Sequence, residues 1–289
     1  MQDSQPSSTR TVHIHPLLRL AILLIVSGAV LMPLLAALLG GFKTLGELRV
    51  NPFGLPGDRQ WQNYWGLLSG KRYWQLMGNS LLISTLTVVL TLVVSAMAAM
   101  AAMAAFVFAD VQFFGRDFLF NYLLLGLMFP AATAILPLFI KIRDLGLRDS
   151  HWGLVLPQVA FGLTAAIVLI RNYFKGLPAD LFEAALVDGC GYFSFFRLIV
   201  LPLSRPILAT VAVITFAHSC NAYLLPLVVL NRDALYPWPL GIMAFQGEFS
   251  TDWHLVLAFI TLTILPMVLL FFAAQRHIVA GLTAGAVKA

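Results

Sequence analysis

Residues 183–203 read EAALVDGCGYFSFFRLIVLPL, with a glycine six residues after Glu183 and an apolar run closed by Pro202. What these residue types can do is make contact. Glu183 offers a carboxylate to a basic partner, Ala184 and Ala185 let a helix approach a receiving surface closely, and Gly189 permits a sharp turn. A second polar set, His218, Asn221 and Tyr223, stands in an otherwise apolar stretch and suits hydrogen bonding to a polyol or to a neighbouring helix. Asn79 and Gln158 read as interhelical hydrogen-bonding groups. Catalytic patterns are missing: no Asp pair, Ser/His arrangement or His-Glu metal motif lies in or beside the apolar stretches. GLLSGKR, residues 66–72, echoes a phosphate loop, but its first glycine is one residue too close and Arg72 replaces the Ser or Thr. His13 and His15 sit in a polar tail, and His218 has no acidic or cysteine metal partner in its stretch, so no metal site and no cofactor are expected.

The elements that must carry these groups are set by a bilayer. Of 289 residues, 60% are hydrophobic and 11% charged, which excludes an ordinary soluble domain. Six stretches contain no Asp, Glu, Lys or Arg: 20–40, 78–108, 118–140, 153–170, 206–230 and 255–274. Each is long enough to cross a hydrocarbon layer of ~30 Å as a helix, so an all-α polytopic membrane protein with six transmembrane helices is expected. The second is longer than a span requires and should tilt or project into water. Pro130, Pro137, Pro157, Pro226 and Pro266 lie within spans and predict kinks. The formal charge of +5 is scattered over short loops and gives no track for nucleic acid. Cys190 and Cys220 fall in a polar and an apolar segment and predict no disulfide.

Domain organisation follows: a polar tail over 1–19, a membrane domain over 20–274, and a second tail over 275–289. The run from Leu20 to Gly40 is too long for a signal-peptide core and reads as an uncleaved anchor. If the amino terminus is cytoplasmic, nine Lys/Arg lie inside and nine outside, so charge bias sets no orientation. Trp61, Tyr64, Trp65 and Leu68 share one face of a short helix and read as an interfacial anchor in contact with membrane lipid. Ser95, Ala99 and Ala102, with Met97, Met100 and Met103, suggest a close-packing stripe.

Between Arg171 and Arg205 the chain leaves the membrane for 35 residues, more than a connection needs. GLPADLFEAALVDG predicts a helix begun near Pro178 and stopped by Gly189; YFSFFRLIVLP predicts a second, ending before Pro202. The two make a protruding knuckle. Phe182, Ala185 and Leu186 share a face, and with Phe193, Phe195 and Phe196 they form more apolar surface than water tolerates. Either the knuckle packs under its own membrane helices or a partner receives it.

The pattern E-A-A, three residues, G, nine residues, I, one residue, L-P resembles the cytoplasmic motif of permease subunits of bacterial ABC importers. The likeness extends to the smaller permease subunit of carbohydrate-uptake, maltose-type importers through NSLLIS at 79–84, LPLF at 136–139, NAYLLPL at 221–227 and QRHIVAGLTAGAVK at 275–288. The chain departs from it at Cys220, where relatives often have Trp, and at Cys190, where they usually have Ala. The resemblance implies the type I importer permease (MetI-like) fold and an inner-membrane location with both termini, the 109–117 loop and the 171–205 loop cytoplasmic. It implies no covalent chemistry here. Its partners would be a dimer of separate ATPase subunits, a second permease, and an extracytoplasmic solute-binding protein touching Asn231 to Trp253. Residues Glu183, Ala184, Ala185, Asp188, Gly189, Ile199, Leu201 and Pro202 would couple to a cleft on the ATPase, where Glu183 meets a basic side chain, and the tail from Gly281 to Lys288 would lie against the ATPase pair. Translocation would be alternating access for a sugar, with His218, Asn221 and Tyr223 along the path. Tyr236, Trp238, Phe245, Phe249 and Trp253 suit sugar stacking or the membrane interface equally. A glycerol-phosphate importer is the alternative substrate class. An ion-coupled secondary transporter is disfavoured because no carboxylate lies in the spans.

Overall fold

A computed structural model describes residues 16–107, 116–128, 130, 132–177, 180–248 and 250–286. It is helical almost throughout: α1 Pro16–Gly41, α2 Leu45–Val50, α3 Trp61–Ser69, α4 Lys71–Val107, α5 Arg116–Met128, α6 Ile135–Asp144 and α7 Trp152–Lys175. There follow α8 Asp180–Val187, α9 Tyr192–Phe195, a π-turn Phe196–Val200, α10 Leu201–Leu203, α11 Arg205–Cys220 and α12 Leu224–Val229. Two 3₁₀ turns, Asp233–Leu235 and Trp238–Phe245, precede α13 Trp253–Ala286. Four helices are long and apolar enough to cross a membrane: Leu17–Gly41, Lys71–Ala98, Trp152–Phe174 and Trp253–Gln275; the bent pair Phe193–Leu203 with Arg205–Cys220 would make a fifth.

The expected third and fifth spans are therefore not single helices. The stretch 118–140 is split into α5 and α6; at the break the Thr133 N–H and hydroxyl both donate to the Pro130 carbonyl (3.0 and 2.8 Å), closing a turn. The stretch 206–230 is split at Asn221–Tyr223, where Asn221 Nδ2 folds back onto the Ala217 carbonyl (2.9 Å) and caps α11. Pro137 and Pro226 each sit at the third position of the short helix that follows, where the missing N–H leaves no intrahelical bond unmade. Proline thus restarts these spans rather than merely kinking them. By contrast, α7 runs through Pro157 and α13 through Pro266 unbroken. The second span lies in α4, whose 37 residues make about 55 Å of helix, longer than a hydrocarbon layer of ~30 Å.

The chain divides into two compact units, Met1–Tyr64 with Asp252–Thr261, and Trp65–Thr251 with Leu262–Ala289. In the first, Phe42 packs on Trp61 and Tyr64 (centroids 4.8 and 4.5 Å), and the Tyr64 hydroxyl donates to the Leu38 carbonyl at 2.8 Å. Tyr64 is buried while Trp61 stays exposed, so the expected aromatic anchor is split between packing and surface. Lys43 is fully buried, its ammonium on the Asn51 carbonyl (2.7 Å) at the C-terminal end of α2, where a cation is favoured. Along α1 nearly every aliphatic side chain is exposed, a surface suited to lipid.

The second unit is centred on α4, α7 and α11, which pack on one another. The seam is made of small hydroxyls. Ser80, Ser84, Thr87, Thr91 and Ser95 recur at helical spacing on α4 and all are buried. Small residues let backbones approach, and the Ser80, Ser84, Thr87 and Ser95 hydroxyls bond across or along the seam, while that of Thr91 has no partner among the described residues. The Ser84 hydroxyl meets the Cys220 thiol at 3.0 Å, the Thr87 hydroxyl donates to Gln158 Oε1 at 3.4 Å, and the Ser219 hydroxyl donates to the same oxygen at 2.6 Å. Gln158 is the interhelical group expected of it; Asn79 instead donates to the Ala234 and Tyr236 carbonyls (2.8 and 3.0 Å), holding a loop. Ser95 continues the expected close-packing stripe, Met97 is exposed, and the side chains of Ala99, Met100, Ala102 and Met103 lie outside the described set.

Candidate functional site

The knuckle is built as two short helices around a left-handed turn. α8 ends as the sequence predicts: Gly189 has φ +73°, the Asp188 N–H donates to the Ala184 carbonyl (3.1 Å) and the Cys190 N–H to the Ala185 carbonyl (2.8 Å). The first is the last ordinary helical bond, and the second, reaching back five residues, is the closure typical of a helix that ends on a left-handed glycine. A Cβ on Gly189 would meet nothing within 4 Å, so only the backbone demands glycine there. Gly189→Ala is expected to cost about 1–2 kcal/mol through that conformation alone, measurable as a lower thermal midpoint of the purified permease.

Beyond the turn the structure departs from expectation. The second helix does not stop before Pro202; it continues to Leu203 and breaks at Ser204, where α11 turns away by 68°. Proline has no N–H for the Leu198 carbonyl, and the helix absorbs the mismatch by widening: the Leu201 N–H donates back to Phe196, five residues away. The break falls at Ser204, and Pro206 takes an early position of α11, where its missing N–H leaves no intrahelical bond unmade. Ser204 is fully buried and its hydroxyl donates to the Val200 carbonyl at 2.6 Å.

The knuckle has two faces. Ala185, Phe195 and Val200 are buried in one apolar cluster with Ala166, Ile170 and Phe174 of α7 and Ile207 and Val211 of α11; Ile199 and Cys190 pack against its edge. The Tyr173 hydroxyl donates to the Leu203 carbonyl at 2.7 Å, tying α7 to the same end. Outward stand Glu183, Ala184, Asp188 and Gly189, with Val187, Phe193 and Leu198 at 88%, 70% and 66% exposure; Leu201 and Pro202 are also exposed. The first option left open by the sequence, packing under the chain's own membrane helices, is taken by the inner face, to which Ala185 belongs, while the outer face stands exposed. Phe193 is one of the aromatics expected to need cover, whereas Val187 and Leu198 carry no expectation from the sequence. Val187 follows Ala184 by three residues and Glu183 by four, a spacing that points to the same face. The side chains of Phe182 and Leu186 lie outside the described set.

At the other end of the same helices is a cavity of about 830 Å³ between α4, α5, α6, α7, α11 and α12. His218, Asn221 and Tyr223 all line it, together with Thr87, Gln158 and Thr215. Among the described lining residues none is Asp, Glu, Lys or Arg. The breaks in the third and fifth stretches contribute Ala132 and Asn221 to Tyr223, so the interruptions themselves form part of its wall. Trp238 is not available for stacking on a ligand: it is buried, its indole N–H on the Cys220 carbonyl (2.8 Å) and its backbone N–H on the Ser80 hydroxyl (2.8 Å). Trp253 is exposed, Tyr236 and Phe245 are half-buried, and Phe249 lies outside the described residues.

The model of the family described as binding-protein-dependent transport system inner membrane component matches residues 100–284, nearly two thirds of the chain and the whole knuckle. The chain belongs to that family. Members are inner-membrane components that work with an ATPase and a solute-binding protein. Among curated relatives, the arabinooligosaccharides transport system permease protein AraQ of Halalkalibacterium halodurans is 35% identical over 89% of this chain and 90% of its own. The diacetylchitobiose uptake system permease protein NgcG of Streptomyces coelicolor is 33% identical, covering 92% of this chain and 86% of its own. A solved structure of a bacterial ABC transporter involved in the import of the acidic polysaccharide alginate has a chain that superposes with a TM-score of 0.75 at 22% identity, covering 94% of this chain and 99% of that one. The last shows the fold, an ABC importer permease fold of the type the sequence resemblance implied.

Proposed function

We propose that this permease is a non-catalytic translocating subunit of a carbohydrate importer, passing an uncharged sugar or oligosaccharide by alternating access while a separate ATPase dimer supplies the energy. The observation that carries the reading is the two-faced knuckle. Its inner face is continuous with α7 and α11, which wall the cavity, and its outer face offers a carboxylate among small and apolar residues. A body clamped on one side to the cavity wall and free on the other transmits motion as a rigid lever. Glu183, Ala184, Asp188 and Gly189 then form the contact with the ATPase, Ala185 and Ile199 hold the lever to the bundle, and Leu201 and Pro202 lie on its outer flank. With this assignment the knuckle, both termini and the 109–117 loop are cytoplasmic, a second permease closes the cavity, and the solute-binding protein docks on the side of residues 231–253.

The substrate class follows from the relatives and from the lining. Several relatives carry sugars or oligosaccharides by name. A wall with amide and hydroxyl groups but no fixed charge suits hydrogen bonding to hydroxyls, and gives an anion no counter-charge as it leaves water. That weighs against glycerol phosphates, and the absence of an acidic side chain among the described lining residues weighs against ion coupling. The deciding experiment is purification of the assembled complex with its binding protein and assay of ATP hydrolysis and uptake in proteoliposomes. Neutral oligosaccharides are expected to stimulate hydrolysis, and anionic ones to leave it at the basal rate. Stimulation by a sugar phosphate alone, or uptake driven by an ion gradient without ATP, would reverse the assignment. Asn221→Leu is expected to raise the half-saturating concentration of sugar with little change in basal hydrolysis.

A further inference from the structure

Asp149 occupies the turn between α6 and α7 and is the one described non-glycine residue with positive φ, at +50°. Asp tolerates that conformation better than most residues, but it still has a cost, so something holds it. Its carboxylate accepts the Asn231 N–H (2.5 Å), the Arg232 N–H (3.1 Å) and Asn231 Nδ2 (3.4 Å). Its own N–H donates to the Val229 carbonyl (3.3 Å), and its carbonyl accepts the Arg232 guanidinium (2.7 Å). The Asn231 N–H before all else holds the carboxyl below its usual range, so it stays an ionised acceptor at neutral pH. These five bonds join the turn between α6 and α7 to the exit of α12.

The two helices so joined are the outer halves of the two broken stretches. They pack together, and both line the cavity, α6 through Ile135 and Leu138, α12 through Leu224 and Leu225. Beneath the clasp, Ile142, Leu154, Val229 and Leu230 form a buried cluster, and a Cβ on Gly153 would strike the Leu147 carbonyl at 2.3 Å. The chain then continues from Arg232 onto α4, through the Arg72–Asp233 ion pair (3.4 Å) and the Gln75 and Asn79 amides on the Ala234 carbonyl (both 2.8 Å).

We propose that α6 and α12, clasped by Asp149 through the turn between α6 and α7, form one outer gate to the cavity whose two half-helices stay together through the transport cycle, and that Asp149 is its positioning residue. The proposal rests on the orientation given above, which puts this end outside. A gate made of two half-helices from different spans can act as one only if their free ends are fixed to each other, and the clasp does that without a covalent link.

The test is a double substitution, Asp149→Cys with Asn231→Cys, in a Cys190→Ser chain assembled with its partners; Cys220 is buried and stays. ATP-driven uptake by the reduced pair is expected to fall several-fold, as in Asp149→Ala, and to return to the wild-type level once the new cysteines are oxidised to a disulfide. Asp149→Asn, which keeps an acceptor oxygen and accepts positive φ, is expected to stay close to wild type and controls for misfolding. Uptake blocked by the disulfide would mean that the two half-helices must part during the cycle and would overturn the proposal, as would full uptake by Asp149→Ala. Either result leaves the importer reading standing, because wild-type uptake is measured alongside; a wild-type complex without ATP-driven uptake would sink both.

Discussion

Glu183→Ala is expected to leave membrane insertion and the thermal stability of the isolated permease unchanged while lowering sugar-stimulated ATP hydrolysis by tenfold or more. Glu183 stands exposed on the outer face of α8 and makes no hydrogen bond or ion pair to a described residue, so the fold itself does not depend on it. When a partner covers that face the carboxylate is desolvated, and truncating one member of such a charged pair typically costs ~2–5 kcal/mol, with each 1.4 kcal/mol worth a factor of ten. The measurement is hydrolysis with and without loaded binding protein in the assembled complex. Unchanged stimulation would remove Glu183 from the coupling contact.

The adjacent alanines should fail in opposite ways when enlarged. Ala185 is buried against Ile170 and Phe174, so Ala185→Leu forces extra methylenes into a filled cluster, at about 1–3 kcal/mol. Its signature is a lower melting temperature of the permease alone. Ala184 is exposed beside Glu183, so Ala184→Leu should leave that melting temperature unchanged and weaken retention of the ATPase during purification. Identical behaviour of the two variants would contradict the division of the knuckle into an inner and an outer face. The contrast is useful because the two residues are neighbours of the same type, and only their direction differs.

How far the sequence could be read differs by element. Helix α8 and its stop were legible because a run of helix formers and a glycine at the left-handed position point one way; the expected start at Pro178 lies outside the described residues. The long uncharged stretches were legible as membrane helices because composition alone sets that. Where composition is silent, the reading ran short. A run of apolar residues does not show whether proline kinks a span or divides it, and α5–α6 and α11–α12 are divided. Pro202 looked like the end of a helix, yet a widened turn carries the chain past it to Ser204. The inward direction of Ala185 depends on α7 and α11, which are distant in sequence. Of the candidate path, His218, Asn221 and Tyr223 do line one cavity, but Thr87, Thr215 and Ser219 beside them carried no signal beyond being small polar residues in oil. Asp149 was invisible, since its partners are some eighty residues away.

The hydroxyl seam of α4 also bears on how this protein can vary. With Ser80, Ser84, Thr87, Thr91 and Ser95 all buried against other parts of the chain, four successive turns and more of one helix face admit only residues no larger than threonine. The opposite face, with Leu81, Leu82, Val89 and Val93 open, has no such limit. A saturation library across α4 should therefore show a narrow strip of intolerance to bulk winding along a helix that otherwise accepts any aliphatic side chain, and that strip would trace the line on which the bundle closes.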